Sequence, residues 1–336
     1  MDLNERIDLL IQLGKYMLSD DEKWLQARTI AHNRNSWFTH QHIDTSVHSI
    51  ASAFLQQSII ESWLRKYNMP KINQNPLSVG IVMAGNIPLV GFHDFLCTFI
   101  TGHQSVIKLS SKDNILLKHL IEKMYEWNNE VQELVKLSDT LKGCNAYIAT
   151  GSNNSSRYFE YYFYKYPHII RRNRTSVAIL GGKETKKELE ELADDICLYF
   201  GLGCRNVTHI FIPPNYNFTT LLEALKKYTY FIDFHKYKNN YDYQLALHLL
   251  NNTSYMSNGS ILLVENESLF SPIAQLHYSY YQKENDVINK LPMEDVQCVI
   301  GHNFTAFGQT QNPSISDYSD GVDTIQFLLS LNKQQK

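Results

Sequence analysis

Cys204 is the residue whose neighbours in the sequence best suit covalent chemistry. It lies in the run Gly-Leu-Gly-Cys-Arg-Asn at positions 201–206, where Gly201 and Gly203 remove side-chain bulk and would let a substrate approach the sulfur. Arg205 would favour the thiolate, which is the nucleophilic form of cysteine. Free cysteine is also among the most buried residue types. The spacing alone therefore suits a nucleophile and a packed turn equally well.

A second candidate is Asn86, in the run Ala-Gly-Asn-Ile-Pro that follows an apolar strand at positions 79–83. An amide at the end of such a strand could donate a hydrogen bond to a developing oxyanion, an interaction worth roughly 3–4 kcal/mol when it is preorganised. Asn-x-Pro is also a common turn before a helix. On these residues alone, the turn is the safer interpretation.

Two further segments contain residues suited to a nucleotide. Lys108, Ser110 and Ser111 lie at the end of a second strand and just after it, where they could contact a ribose or a phosphate, although a solvated strand end fits them slightly better. Gly151 and Ser152 join a third strand to an aromatic helix, an arrangement that presents backbone N–H groups to an anion. Many strand–helix turns are small and polar without binding anything, and the glycine spacing is not that of the dinucleotide fingerprint.

Alternating strands and helices must position these candidates. Residues 1–72 show apolar residues at helical spacing, and apolar runs typical of strands then alternate with helical stretches. The predicted strands are 79–83, 104–109, 145–150, 176–180, 209–212, 260–264 and 296–300. This alternation predicts an α/β fold with parallel sheets. Because it continues across Cys204, we expect two domains: 1–180, with a helical N-terminal segment and a dinucleotide-binding domain, and 181–336, with the nucleophile and a C-terminal tail.

Composition narrows the classes of function. The 336 residues carry a net charge of -3 and are 43% hydrophobic, which gives no broad attraction to nucleic acid. Five cysteines without a C-x-x-C pair indicate neither a zinc site nor a disulfide framework, and His40, His42 and His48 are not expected to hold a metal. No apolar run approaches the roughly 20 residues of a membrane span, and the N-terminus lacks a secretory signal, so we expect a cytoplasmic protein.

Taken together, the segments resemble the bacterial fatty acyl-CoA reductase (LuxC-like) family of the aldehyde dehydrogenase superfamily, over about residues 77–325. The motifs that carry this resemblance stand in the superfamily's order. They are Gly85-Asn86-Ile87-Pro88, Ile107-Lys108-Leu109-Ser110-Ser111, Gly151-Ser152, Leu180-Gly181-Gly182-Lys183 and Gly203-Cys204. The reductase branch is further marked by the runs 157–163, 171–174, 199–207 and 317–323.

The resemblance implies an aldehyde-dehydrogenase-like fold, with a Rossmann-type cofactor domain and a second α/β catalytic domain. It implies that Cys204 forms an acyl-enzyme and that Asn86 holds the oxyanion. The residues it implies for cofactor binding are Lys108, Ser110, Ser111, Gly151, Ser152 and Gly181.

Two departures from the superfamily pattern point to reduction with NADPH. Ile179 stands where hydrolytic relatives carry the glutamate that activates water, so a thioester on Cys204 would persist until hydride reaches it. Ser111 stands where NAD-preferring relatives carry a glutamate, which leaves room for the 2′-phosphate of NADPH. The expected partners are a fatty acyl-CoA or other acyl thioester, an acyl-donor protein and further copies of the chain.

Two other functions fit the same residues. A cysteine acyltransferase or thioesterase would use Cys204 without a dinucleotide, and a non-catalytic acyl-binding subunit would keep the fold without the reaction. Binding of NADPH and acylation of Cys204 distinguish the three functions.

Overall fold

Apolar residues at helical spacing form the N-terminal part of the chain, as predicted. The structure, a computed structural model, describes residues 1–332. The first helix begins at a capping box formed by Asp2 and Glu5, and it buries Leu10, Leu13 and Met17 completely. The four helices before the first strand are α1 (Leu3–Met17), α2 (Glu22–Arg34), α3 (His40–Phe54) and α4 (Gln57–Leu64).

The alternation that follows folds into a five-stranded parallel sheet. Its strands are β1 (Ser78–Val82), β2 (Gln104–Lys108), β3 (Val135–Leu137), β4 (Ala146–Thr150) and β5 (His168–Arg171). The helices between them are α5 (Phe92–Ile100), α6 (Leu116–Trp127), α7 (Val131–Leu134) and α8 (Asn153–Phe163). The strand order is β3-β2-β1-β4-β5, which matches the first five strands of the doubly wound dinucleotide-binding order. The prediction of an α/β fold with parallel strands is confirmed.

A second sheet has six strands in the order β11-β6-β7-β10-β9-β8. They are β6 (Thr175–Ile179), β7 (Val207–Ile212), β8 (Met256–Ser257), β9 (Leu262–Glu265), β10 (Gln275–Tyr280) and β11 (Val296–Ile300). All neighbouring pairs are parallel except β8 with β9. The helices of this part are α9 (Lys186–Cys197), α10 (Phe218–Ala224), α11 (His235–Leu250) and α12 (Glu284–Lys290).

The chain then adds a last helix, α13 (Thr324–Leu331), whose Ile325, Leu328 and Leu331 belong to the same hydrophobic core as α1 and α5. The compact units are accordingly Met1–Asn173 with the chain from Pro313 onward, and Arg174–Asn312.

These bounds differ from the expected domains in two places. The boundary falls before β6 and not at residue 180, because β6 hydrogen-bonds to β7 and β11. The segment after residue 312 joins the first unit and not the second. The last four residues of the expected 181–336 domain lie outside the described residues.

Along residues 1–332, no helix combines the length and the apolar character that crossing a membrane requires.

Candidate active site

Cys204 lies in a tight turn between α9 and β7, and it is partly exposed. Asn206 closes this turn from inside: its Oδ1 accepts the Gly203 N–H at 2.8 Å, and its own N–H donates to the Gly203 carbonyl at 3.1 Å. The Asn206 side chain is completely buried, whereas Cys204 next to it is not. The turn therefore has a fixed polar interior and a thiol within reach of solvent.

The same Asn206 amide also binds the end of α9. Its Nδ2 lies 3.0 Å from the Asp195 carbonyl, 3.3 Å from that of Ile196 and 2.9 Å from that of Leu198. Carbonyls at a helix C-terminus lack intrahelical partners. One buried side chain thus satisfies three of them.

Three consecutive left-handed residues connect α9 to the turn. Tyr199, Phe200 and Gly201 have φ values of 55°, 59° and 73°, a conformation that costs a non-glycine residue roughly 1–2 kcal/mol. Phe200 holds its place by packing against Phe231 and Phe234, at ring-centroid distances of 4.4 and 5.2 Å. The reversal thus begins two residues before Gly201.

The Cys204 turn sits at the amino end of the second sheet. The completely buried Ser176, near the start of β6, donates from Oγ to the Cys204 carbonyl at 3.2 Å. The neighbouring Arg205 donates from Nη1 to Sγ of Cys298, in β11, at 3.4 Å. Cys204 and Cys298 are the two partly exposed cysteines, and the other three are buried.

Gly181 and Ile179 both lie away from Cys204, toward the other end of β6. Ser176 pairs with Val207 and Ile179 pairs with Phe211, so Ile179 lies roughly 10 Å along β6 from Ser176. Its side chain packs in a hydrophobic core and is 5% exposed. Ile179 therefore does not occupy the place of a water-activating glutamate, and its identity says nothing about hydrolysis at Cys204.

Gly181 lies at the carboxyl end of β6, the opposite end from Cys204. Its N–H already donates to Oε1 of Glu184 at 2.5 Å, and the Gly182 N–H donates to Oε2 at 3.1 Å. A carboxylate of the chain itself thus holds the two donors that would bind an anion. The role of Gly181 in cofactor binding stays a prediction.

The other predicted cofactor segments meet in the first unit. β1 lies between β2 and β4, and the carboxyl ends of parallel strands share one edge. Asn86 follows β1, Lys108–Ser111 end and follow β2, and Gly151–Ser152 follow β4. This is the position where the strand order reverses and where open α/β sheets bind ligands. Lys108, Ser111 and Ser152 are exposed, while Asn86, Ser110 and Gly151 are half-buried.

Contacts within this edge join the segments closely. A Cβ atom on Gly85 would lie 2.5 Å from Ser110 Oγ, so the turn before Asn86 rests directly on the loop after β2. Asp113, in the same loop, accepts the Leu89 N–H at 2.7 Å. On the β4 side, Ser152 caps α8 by accepting the Ser155 N–H at 3.3 Å, and the Gly151 N–H donates to the Arg171 carbonyl at 3.2 Å.

The basic run at 171–174 does not form one cluster. Arg171 is buried and bonds to Asp94 through Nη2 at 2.7 Å and Nε at 3.3 Å. Arg172 forms an exposed ion pair with Glu160. Arg174 donates from Nε to the Glu294 carbonyl at 2.8 Å.

Burial distinguishes Cys97, Cys144 and Cys197 from Cys204. It raises the pKa of the thiols of Cys97, Cys144 and Cys197, which keeps them protonated at neutral pH. Across residues 1–332, no group of three or more His, Cys, Asp and Glu side chains could hold a metal ion.

Asn206, Ser176 and Asp113 were not among the predicted site residues. Each acts through a bond to a residue in another segment, which spacing does not reveal. The nearest signal was the asparagine that follows Cys204-Arg205, since asparagine side chains readily bond to nearby backbone in turns.

The comparisons with known proteins agree with this architecture. The sequence model of the acyl-CoA reductase (LuxC) family matches residues 26–229. No curated protein matches the chain. Three solved structures illustrate the similarity in fold.

An NADP-dependent enzyme of E. coli is 13% identical, with a TM-score of 0.68 over 89% of this chain and 73% of that one. An oxidoreductase from Marinobacter aquaeolei is 13% identical, with a TM-score of 0.66 over 92% and 75%. The indole-3-acetaldehyde dehydrogenase AldA of P. syringae, solved with NAD+, is 11% identical, with a TM-score of 0.64 over 89% and 72%. The predicted aldehyde-dehydrogenase-like fold is confirmed.

Proposed function

This chain belongs to the acyl-CoA reductase (LuxC) family of oxidoreductases, and from that premise we propose that it reduces a fatty acyl-CoA to the aldehyde with NADPH, through an acyl-enzyme on Cys204. The observation that carries the proposal is the Cys204 turn. The partly exposed Cys204 is held by hydrogen bonds from its turn to two completely buried polar residues, Asn206 and Ser176. That arrangement fixes the thiol in place without covering it.

The residues of the first unit fit a dinucleotide. The sheet has the order typical of such domains, and Lys108, Ser111 and Ser152 are exposed at the edge where the order reverses. Lys108 would pair with a phosphate, and Ser111 adds no charge that would repel a 2′-phosphate. NADPH bound there would supply the hydride. The relatives solved with NAD+ support a nicotinamide dinucleotide in general, and the preference for NADPH is part of the proposal.

In the proposed reaction the Cys204 thiolate attacks the carbonyl carbon of the acyl thioester. The carbon–sulfur bond to coenzyme A breaks, and coenzyme A leaves as its thiolate. Asn86 is the proposed amide donor to the oxygen that carries the developing charge. After reduction of the acyl group, the bond to Cys204 breaks and the aldehyde is released with the thiolate restored. An acyl-donor protein and association with further copies of the chain belong to the same proposal.

The test is to incubate the purified protein with NADPH and a long-chain acyl-CoA, following NADPH absorbance and aldehyde formation. We expect both changes with the wild-type protein and neither with Cys204→Ala. Cys298→Ser is the matched control, because Cys298 is also partly exposed and serine keeps an acceptor for Arg205. If Cys204→Ala forms aldehyde at the wild-type rate, the proposal is wrong.

Two further measurements, acylation of Cys204 and the melting temperature with NADPH, distinguish the other two functions. Acylation of Cys204 without any rise in melting temperature on adding NADPH would identify a thioesterase or acyltransferase, since a ligand of the native state must raise that temperature. Failure of Cys204 to react with acyl-CoA would identify an acyl-binding subunit.

A further inference from the structure

The polar groups that hold the Cys204 turn form one connected frame inside the second unit. Asn206 joins the turn to the end of α9, and the Asp195 carboxylate in that helix accepts the Gly308 N–H at 2.7 Å and the Thr310 hydroxyl at 2.6 Å. Asp195, Asn206 and Thr310 are all completely buried. The frame therefore extends from the nucleophile turn to the loop that follows β11.

Asn206 is the member of this frame that acts on the turn itself. It makes four side-chain hydrogen bonds, one to the Gly203 N–H and three to carbonyls of α9 and the residue after it. Without it, those carbonyls would lose the donor that the Asn206 amide supplies. Buried polar groups left without partners cost roughly 1–3 kcal/mol each, so the turn could not keep its present geometry.

The frame also compensates for the strain next to it. The left-handed Tyr199 and Phe200 are buried at 4% and 2% exposure, and such conformations persist only where the surroundings fix them. The Leu198 carbonyl, immediately before them, accepts the Asn206 amide at 2.9 Å. Asn206 therefore fixes both ends of the reversal between α9 and Cys204.

We propose that Asn206 is a positioning residue for the Cys204 nucleophile, holding the turn and pairing the carbonyl oxygens at the end of α9 with the N–H donors of its amide. This inference rests on the proposed function, because it takes Cys204 as the nucleophile. It predicts a change in thiol chemistry beyond a loss of stability. With the amide removed, the partial negative charges of three carbonyls disfavour the thiolate, and with a carboxylate in its place a full negative charge does so.

The experiment measures the pH dependence of Cys204 alkylation by iodoacetamide, with the labelled peptide quantified by mass spectrometry so that other thiols do not interfere. We expect Asn206→Ala to slow alkylation near neutral pH by about threefold and Asn206→Asp by about tenfold, with both profiles displaced to higher pH. Asn217→Ala is the matched control, because Asn217 caps α10 in the same unit through one exposed bond to the Thr219 N–H. Its profile should coincide with the wild type.

Two results would overturn the inference: profiles of the Asn206 variants that coincide with the wild type, or displacement to lower pH. If Asn206→Ala is too unstable to purify, Asn206→Ser replaces it, since serine keeps a hydroxyl in the turn but loses the bonds to α9, and it must show the same displacement. The alkylation does not depend on acyl-CoA or NADPH. A wild-type protein that is alkylated normally but reduces no acyl-CoA would contradict the proposed function and leave the role of Asn206 to be judged from the profiles.

Discussion

The carboxyl group of Asp113 is held inside the first unit, in the loop that follows β2. Its Oδ2 accepts the Leu89 N–H, while its Oδ1 is buried and finds no hydrogen-bond partner among the described residues. Burial raises the pKa of Asp113 to about 7, although the hydrogen bond from the Leu89 N–H acts in the opposite direction and lowers this pKa. Leu89 has a φ of 57°. Asp113 thus stabilises a left-handed residue in the turn that carries Asn86.

Replacing Asp113 should change how stability depends on pH. Because the folded pKa lies above the unfolded one, protonation of Asp113 stabilises the native state at low pH, and this contribution is lost as pH rises from about 4 to about 7. Relative to Asp113→Asn, the wild-type protein should lose about 2–3 kcal/mol between roughly pH 5 and pH 8. Urea unfolding of both proteins at the two pH values measures the difference.

Asp139→Asn is the control for that comparison, since Asp139 is exposed in the same unit and its replacement should leave the pH dependence unchanged. Parallel pH dependences of the wild type and Asp113→Asn would show that the Asp113 carboxyl is ionised in the folded protein throughout this range.

For single residues, the sequence predicts a role where the residue type and its immediate neighbours in the chain indicate one. Cys204 between small residues and Asn86 after a strand were both predicted in this way. The structure puts Cys204 in the turn before β7 and Asn86 in the turn after β1. Ile179 was misjudged because a local likeness to a signature does not reveal the end of the strand at which a residue lies. That depends on the register between β6 and β7, which is a long-range property.

Among the elements, α8 is fixed at its start by a glycine. A Cβ atom on Gly151 would lie 2.8 Å from a ring carbon of Phe159 and 2.9 Å from Ser155 Cβ. Around Gly181 the nearest atom to such a Cβ is Oε1 of Glu184, at 3.8 Å. Neither glycine lies in the left-handed region. The two positions therefore form a matched pair that differs in the space available.

Gly151→Ala should lower stability by about 1–3 kcal/mol, because α8 must shift to admit the methyl group, whereas Gly181→Ala should stay within roughly 0.5 kcal/mol of the wild type. If Gly151 contributes to the cofactor site, its variant should also lose the rise in melting temperature on NADPH addition. Thermal unfolding with and without NADPH measures both effects. A Gly151→Ala protein as stable as Gly181→Ala would contradict the close contact with α8.

Strands with a short apolar run were predicted to within a few residues, including β1, β2 and β11. By contrast, the only strand predicted between residues 228 and 290 was 260–264, yet this region also contains α11 and β10. α11 buries only Tyr237 and Tyr241, so it has no apolar stripe. β10 buries polar residues such as His277 and Ser279 inside the sheet. His277 bonds to the Ser268 carbonyl, and Ser279 bonds to His209 in β7.

For the molecule as a whole, the chain leaves the first unit at residue 173 and returns at 313. Arg171 ties the returning segment down: it donates to the Ser319 carbonyl at 2.5 Å and to the Thr324 hydroxyl at 2.9 Å. Its pairing with Asp94 is almost fully buried, at 4% and 11% side-chain exposure. An ion pair away from water therefore contributes to the attachment, together with the apolar side chains of α13.

Asp94→Asn should destabilise the protein by about 3–5 kcal/mol, because it leaves the buried Arg171 charge without its counterion. The matched control is Glu160→Gln, which breaks the exposed pair with Arg172 and should cost no more than about 1 kcal/mol. Urea unfolding measures both, and limited proteolysis should cut Asp94→Asn first after residue 312. Equal losses of unfolding free energy in the two variants would show that burial of the Arg171–Asp94 pair does not increase its contribution to stability.

The return of the chain to its first unit also sets an order of assembly during synthesis. When Arg171 leaves the ribosome, Ser319 and Thr324 have not been made, and about 140 residues of the second unit come first. At typical elongation rates this delay lasts on the order of 10–30 seconds. The second unit, continuous in sequence, can complete its core during that time. The first unit, although begun earlier, must finish last, with a nascent sheet whose buried arginine waits for the final segment of the chain.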